Sequence, residues 1–342
     1  MSSAVRSIAA WATWARAAAL AAGVLLTVAA AGCSETPPPE PIDLVPADAN
    51  LVAHVDLGRI LLDPDVSGGF ASVPLGEDAP ASLDEALAEF EAETGIDLLQ
   101  FANIVAFGVV DTTAGSDGPT EFGIMARGTF DGDTILDKVL LGSDGELTED
   151  EYRGHALLIR AEDDGSETVM TVLADEVFVL GTRGSVASVI DVLEDGEGAL
   201  AGPLLETYVA LGEPLVKAAF AVPPGAVDDL GGAAADVLPI PFDPSLLSDI
   251  RIVGFAADKE ADLVTVTLAL EYVSAASAES ASDYLGALLT LAGPFLPPGA
   301  AADLLNQIAV EYSGSTVEVS ISATVDQLIA AADEVGSSMV PE

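Results

Sequence analysis

The apolar positions of this chain come in short blocks that alternate between a strand-like and a helix-like period. Leu51-Val52-Ala53-His54-Val55-Asp56-Leu57 is mostly apolar and predicts a buried strand. Ser82-Leu83-Asp84-Glu85 is a capping box, opening a helix with Leu83, Leu87 and Phe90 on one face and Gly95 at its end. Residues 103–110 and 121–130 predict two strands around a turn-rich stretch at 112–119, and 133–141 predicts a helix. Residues 152–161 and 167–180 read as two further strands. Ser185 reads as the cap of a helix whose Val186, Val189, Ile190 and Leu193 repeat every 3.6 residues.

The same order of elements then recurs. Strand 215–222, helix 225–238, paired strands 249–257 and 263–272, helix 278–291 and strands 308–312 and 316–322 follow in turn. A second capping box, Thr324-Val325-Asp326-Gln327, opens a helix with Val325, Leu328, Ile329, Ala332 and Val335 on one face. Ile104 and Ile252 lie 148 residues apart, as do Val169 and Val317. The predicted fold is therefore α+β, in two similar halves, residues 44–198 and 199–342. Each half is expected to be an antiparallel sheet with helices packed on one face. The join falls in the glycine- and glutamate-rich stretch 194–202. A single α+β domain with coincidental alternation is the competing reading.

The N-terminus reads differently. Arg6 and Arg16 precede an unbroken apolar run from Ala17 to Gly32, and no acid precedes Glu35. This is the pattern of a secretory signal peptide, and the run is shorter than the ~20 residues of a membrane span. It ends at Ala30-Ala31-Gly32-Cys33, which holds the chain's single cysteine. That run resembles the lipobox of bacterial lipoproteins, with Ala30 standing where leucine is commonest. The resemblance implies cleavage before Cys33, diacylation of its sulfur and acylation of the new amino terminus. Residues 1–32 are then the signal peptide and 33–43 a proline-rich tether, extended at ~3.1 Å per residue. Ser34 after the cysteine resembles lipoproteins sorted to the outer membrane where there are two membranes. With one membrane, the anchor would sit on the cell-membrane exterior. An ordinary signal peptide with a stray cysteine, or an uncleaved anchor, is the alternative.

The body carries a looser likeness. Val45-Pro46-Ala47-Asp48-Ala49 ahead of an apolar strand, and Tyr152-Arg153-Gly154 followed by Val179-Leu180-Gly181 ahead of a helix, resemble exported bacterial proteins of unknown function. The likeness spans about residues 44–335. It implies an exported α+β repeat architecture and brings no activity with it.

Charge narrows the function classes. The chain holds 56 acidic and 11 basic residues, a formal net charge of −45, and only three lysines, Lys138, Lys217 and Lys259. Such a surface repels nucleic acid and anionic headgroups. It suits either a saline exterior or extracellular life in general. Half the residues are hydrophobic, which supplies a sizeable core.

Little catalytic chemistry is legible. His54 and His155 sit in predicted strands 101 residues apart, without metal-ligand spacing, and read as structural. Neither a nucleophile elbow nor a phosphate loop is present. Asp144-Gly145-Glu146-Leu147-Thr148-Glu149-Asp150-Glu151 resembles the second half of an EF-hand loop. Leu140 and Gly142 occupy the places of the first and third ligands, so a helix-to-strand turn is the better reading. No catalytic, cofactor or metal residues are assigned. The expected function is a non-enzymatic binding or scaffolding module, lipid-anchored through Cys33 to the cell envelope. Its partner would be an envelope protein or an apolar ligand. The alternative is a carrier enclosing a lipid or other apolar ligand, with residues 285–297 as a candidate lining.

Charge also yields an expectation for stability. Carboxylates inside a Debye length repel, and that length is ~30 Å at 0.01 M salt and ~3 Å at 1 M. The melting temperature should climb steadily across that range of sodium chloride, with sucrose controls for solute exclusion. An unchanged melting curve would mean that the acids are harmlessly spaced.

Overall fold

The computed structural model describes residues 39–65, 82–94, 97–109, 121–142, 147–161, 165–174, 176–223, 248–292 and 299–338. Cys33, Gly95, the turn at 112–119, Asp144–Glu146 and the helix expected at 225–238 lie outside the described residues. Glu40–Glu342 forms one compact unit.

The fold is α+β. Its strands are β1 Leu51–Asp56, β2 Phe101–Val109, β3 Glu121–Gly128, β4 Leu147–Tyr152, β5 His155–Ala161, β6 Glu167–Leu173, β7 Val177–Thr182, β8 Val216–Ala221, β9 Ile250–Glu260, β10 Leu263–Tyr272, β11 Ala309–Ser313 and β12 Thr316–Thr324. They form one 12-stranded sheet in the order β11-β12-β10-β9-β8-β1-β2-β3-β7-β6-β5-β4. Neighbours pair antiparallel throughout, so the expected pair of separate sheets is one continuous sheet. The helices are α1 Leu57–Leu62, α2 Leu83–Thr94, α3 Gly132–Gly142, α4 Arg183–Asp195, α5 Pro203–Ala210, α6 Ala275–Ala292, α7 Ala300–Leu305 and α8 Val325–Ser338.

These helices cover both faces of the sheet, not one. Consecutive apolar residues on a strand point to opposite faces, and β7 shows the consequence. Val177 and Val179 pack with Val186, Val189 and Ile190 of α4. Phe178, between them, packs with Phe101, Ala126 and Ile135, the last on α3. Toward the other end of the sheet, Leu270 and Val317 pack with Ala278 and Ala281 of α6. Strands buried on both sides read as continuous apolar runs, and this is why the pattern does not reveal the second layer.

Several expected boundaries shift for local reasons. Residues 152–161 are not one strand, because Arg153 (φ 49°) and Gly154 (φ 87°) turn the chain tightly between β4 and β5. Two successive residues with positive φ suit the right-handed strand twist. Residues 167–180 likewise split at Ala174, φ 50°. The helix α4 begins at Arg183 with Thr182 as its N-cap residue. Ser185, expected to be the cap, is buried in the first turn, where its Oγ accepts from Thr182 Oγ1 at 3.0 Å. Gly196 ends α4 in the left-handed region, its N–H donating to Val192 O at 3.0 Å. Thr324 and Gln327 do form a reciprocal box, with Thr324 N–H donating to Gln327 Oε1 at 2.9 Å and Gln327 N–H to Thr324 Oγ1 at 3.3 Å. Residues 41–43, expected to be extended, instead belong to a 3-10 turn, Pro41–Leu44, with Pro41 and Leu44 buried.

Few cations tie many acids. Arg59 bridges Asp56 and Asp258, Arg127 bridges Glu40 and Glu176, Arg153 bridges Asp191 and Asp195, Arg183 bridges Asp150 and Glu167, and Lys259 bridges Asp63 and Asp65. The edge strand β4 exposes Glu149, Asp150 and Glu151, charges that discourage pairing with another chain. Among the described residues no helix is long and apolar enough to cross a membrane.

Two glycines make opposite tests of this packing. Gly181 faces Gly123 across β3 and β7, and a Cβ there would lie 2.4 Å from Phe122 O. Gly181→Ala should destabilise by about 1–3 kcal/mol, because the clash is with backbone. Gly286, inside α6, has open space around it, so Gly286→Ala should stabilise by about 0.5–1 kcal/mol. Urea unfolding midpoints check both signs.

Candidate functional site

The middle of the sheet carries a polar cluster in an otherwise apolar layer. Val52, His54 and Asp56 alternate along β1 and so point to one face. His54 lies opposite Val105 of β2 and Lys217 of β8, and Asp56 opposite Asn103. One step along the ladder, Val52 and its neighbour Ala219 are fully buried. The apolar layer thus gives way at His54 and Lys217.

The helix α5 forms the opposite wall. Pro203 occupies its first turn after Gly202, a position that suits a missing N–H. It lies close over β9 because residue 254 is glycine: a Cβ there would come within 3.1 Å of Thr207 Cγ2. Thr207 fastens the helix by donating from Oγ1 to Glu271 Oε2 at 2.8 Å. Tyr208 and Val209 then reach the cluster. With the segment Glu40–Ile42 and residues 212–214 they enclose a cleft of about 620 Å³. That size suits a small-molecule ligand, for which clefts run roughly 300–1,000 Å³.

Lys217 is the unusual group here. It is 7% exposed, and its Nζ donates to Gly212 O at 2.6 Å. Gly212 follows the end of α5, where carbonyls lack helical partners and a cation is favoured. The Tyr208 ring lies under Nζ at 4.1 Å to its centroid, a cation–π contact. Among the described residues no carboxylate forms an ion pair with Lys217, although Arg59, Arg127, Arg153, Arg183 and Lys259 bridge two acids each. Burial lowers the Lys217 pKa, opposed by the more distant charge of Glu213. Burial also raises the Tyr208 pKa.

His54 is constrained as well. Its Nε2–H donates to Asn103 Oδ1 at 3.3 Å, and its buried Nδ1 has no partner among the described residues. Such an unmet acceptor costs roughly 1–3 kcal/mol. Burial is the main cause lowering the His54 pKa; the Asn103 bond opposes it and Lys217 reinforces it. The ring is therefore a neutral acceptor at neutral pH.

The other sequence candidates lie elsewhere. His155 is on the surface, with Nε2 3.0 Å from Glu194 Oε1. Asp150 of the EF-hand-like run belongs to β4 and accepts from Arg183 at 3.1 Å, an arrangement that lowers its pKa through the Glu151 backbone N–H and Arg183. Among the described residues no group of three or more His, Cys, Asp or Glu is placed to hold a metal. Leu285, the first residue of the candidate lining segment, packs against the core beneath α6, and 293–298 lie outside the described residues. A smaller cleft of about 440 Å³ beside α3 is walled by exposed Asp131, Thr134 and Lys138.

No family model matches the chain, and no curated protein matches it. Among solved structures it is similar to TP0453. Crystal form IV is 11% identical, covering 86% of this chain and 96% of that one at a TM-score of 0.46. Crystal form III is 10% identical, covering 86% and 98% at 0.45. A likeness this loose does not equate individual elements.

His54 supplies a pH expectation. Its folded pKa is depressed below the ordinary 6.5, so the unfolded chain binds more protons as pH falls through that value. The stability it contributes is present above 6.5, declines below it, and levels off once the folded pKa is passed. Wild type should therefore lose stability relative to His54→Gln between about pH 7 and pH 5. A constant difference in unfolding free energy across that range would mean His54 is not held neutral.

Proposed function

We propose that this chain is an exported lipoprotein anchored through Cys33, and that it works as a non-enzymatic binding module of the cell envelope. Its ligand site is the cleft at the seam of two similar halves. The observation that carries this reading is Lys217. A buried ammonium with no carboxylate partner among the described residues, on the wall of a cleft, is unusual in a chain with 56 acids and three lysines.

Strand order supports the two halves. Outward from the seam run β1-β2-β3-β7-β6 on one side and β8-β9-β10-β12-β11 on the other. In each, a seam strand leads to a hairpin, a helix intervenes, and two strands return in reversed order before a closing helix, α4 or α8. The hairpin β4–β5 extends the first half alone.

The site is built to hold. Lys217 Nζ is fixed by Gly212 O and the Tyr208 ring, and the His54 ring by Asn103. Three acids, Glu40, Asp56 and Glu213, share the lining with Ile42 and Val105, which favours a small polar ligand over an enclosed lipid tail. Glu40, the first residue of the folded unit, is itself a lining residue.

The anchor and the site have separate readouts. Growth with a clickable fatty acid should label the wild-type chain and leave Cys33→Ala unlabelled; equal labelling would overturn the anchor. In a thermal-shift screen of small metabolites, at least one compound should raise the melting temperature of wild type but not of Val209→Trp, in which the indole occupies the cleft. A screen without such a compound would overturn the site.

A further inference from the structure

We propose that the cleft takes a small zwitterion with an apolar side chain, its carboxylate on Lys217 and its ammonium group toward Glu213. This rests on the binding reading above and names its ligand class.

The argument begins with the donors left over at Lys217. An ammonium group carries three hydrogens. One goes to Gly212 O at 2.6 Å and the Tyr208 ring takes up another direction at 4.1 Å. The remaining donor has no acceptor among the described residues. It belongs to a side chain that is 7% exposed and lines the cleft. A ligand carboxylate supplies the missing acceptor and the missing counter-charge together, as a charge-assisted hydrogen bond.

The rest of the cleft restricts what else the ligand carries. Glu40 is engaged by Arg127, and Asp56 accepts from the Arg59 backbone N–H at 2.9 Å. Glu213 lines the same cleft, is exposed, and makes no ion pair among the described residues. Its charge acts on both Lys217 and His54 from beyond contact distance. The uncommitted charges are therefore a cation on the inner wall and an anion toward solvent. The chain's −45 charge repels any ligand with net negative charge. A carboxylate can reach Lys217 at least cost when a cationic group on the same molecule meets Glu213.

The apolar lining sets the third requirement. Ile42 and Val105 line the cleft beside Val209, which is 61% exposed. Valine exposed to that degree on a cleft wall leaves apolar surface for a ligand side chain to cover. A free amino acid and a short peptide share this chemistry.

Isothermal titration calorimetry separates these features with four probes: L-leucine, L-leucyl-L-leucine, leucinamide and 4-methylpentanoate. Leucine or dileucine should bind, and whichever binds tells the free amino acid from the peptide. Leucinamide, without a carboxylate, and 4-methylpentanoate, without an ammonium group, should each bind at least about tenfold more weakly, the effect of one lost charged contact. Lys217→Met should weaken zwitterion binding by at least the same factor. Glu213→Gln alters an exposed side chain, so its fold is kept. It should weaken leucine or dileucine and leave 4-methylpentanoate unaffected or better bound. Leucinamide or 4-methylpentanoate binding as tightly as the zwitterion would overturn the assignment, as would Glu213→Gln binding leucine and dileucine unchanged. If all four probes give no heat while a screened metabolite still stabilises the protein, the zwitterion falls and the binding site stands. If no compound stabilises it, both fall.

Discussion

The pairing of β1 with β8 is the interaction on which the rest depends. Its five rungs run from Leu51↔Phe220 to Val55↔Val216. Flanking bonds extend it at both ends, Asp56 N–H donating to Leu215 O and Ala221 N–H to Asn50 O, each at 2.8 Å. Without this ladder the chain would hold two sheets, each with an open edge of unpaired backbone groups. With it, Val52 and Ala219 are sealed and one sheet runs from β11 to β4. The ladder joins segments far apart in sequence, so its loop-closure cost is met only as the rest of the sheet forms. The cleft inherits that dependence, because His54 and Lys217 come from opposite sides of the same rung.

Scarcity of cations organises the surface around that sheet. An exposed ion pair in water is worth only about 0–1 kcal/mol, so no single bridge holds the fold. The arrangement matters more. Arg183 joins β4 to β6 through Asp150 and Glu167, and Arg127 fastens the entering chain at Glu40 to β3. Each cation spent this way lowers repulsion between two acids at once. Against that background, a lysine set against a carbonyl and an aromatic ring is not serving the same end.

Much of the fold was legible, and the failures have specific causes. Strands with branched apolar residues, such as 103–110 and 263–272, were placed within a residue or two, because their composition suits a pleated surface. The box at Thr324 and Gln327 was legible because its chemistry is local. Arg153-Gly154 was missed as a turn because arginine seldom adopts positive φ, and only the following glycine hinted at it. The helix α5 was missed because PLLETYVA is eight residues long, too short for a clear period. Helices on both faces were missed because a strand buried twice loses its alternation. The site was illegible for a deeper reason. His54 reads as an ordinary strand residue, and Lys217 as a charge at a strand's start. Only the register of two strands more than 150 residues apart sets them side by side.

The ladder also suggests why a cleft exists at the seam. Ala53 faces Ala218 at the centre of the five rungs. If the two halves are related by a twofold axis through that rung, Val52 corresponds to Lys217 and Ala219 to His54. The sealed pair Val52–Ala219 is then the counterpart of the pair Lys217–His54. In an undiverged seam both rungs would be alike. Two dry rungs would bury the seam with no cleft. Two lysine-bearing rungs would set like charges near each other in a poorly solvated layer, which is destabilising. Divergence of one rung alone keeps half the seam as core and frees the other half. The neutral ring of His54 opposite Lys217 avoids a second buried charge. Asymmetry at this one rung therefore lets the same ladder close the sheet and leave a cleft beside Lys217.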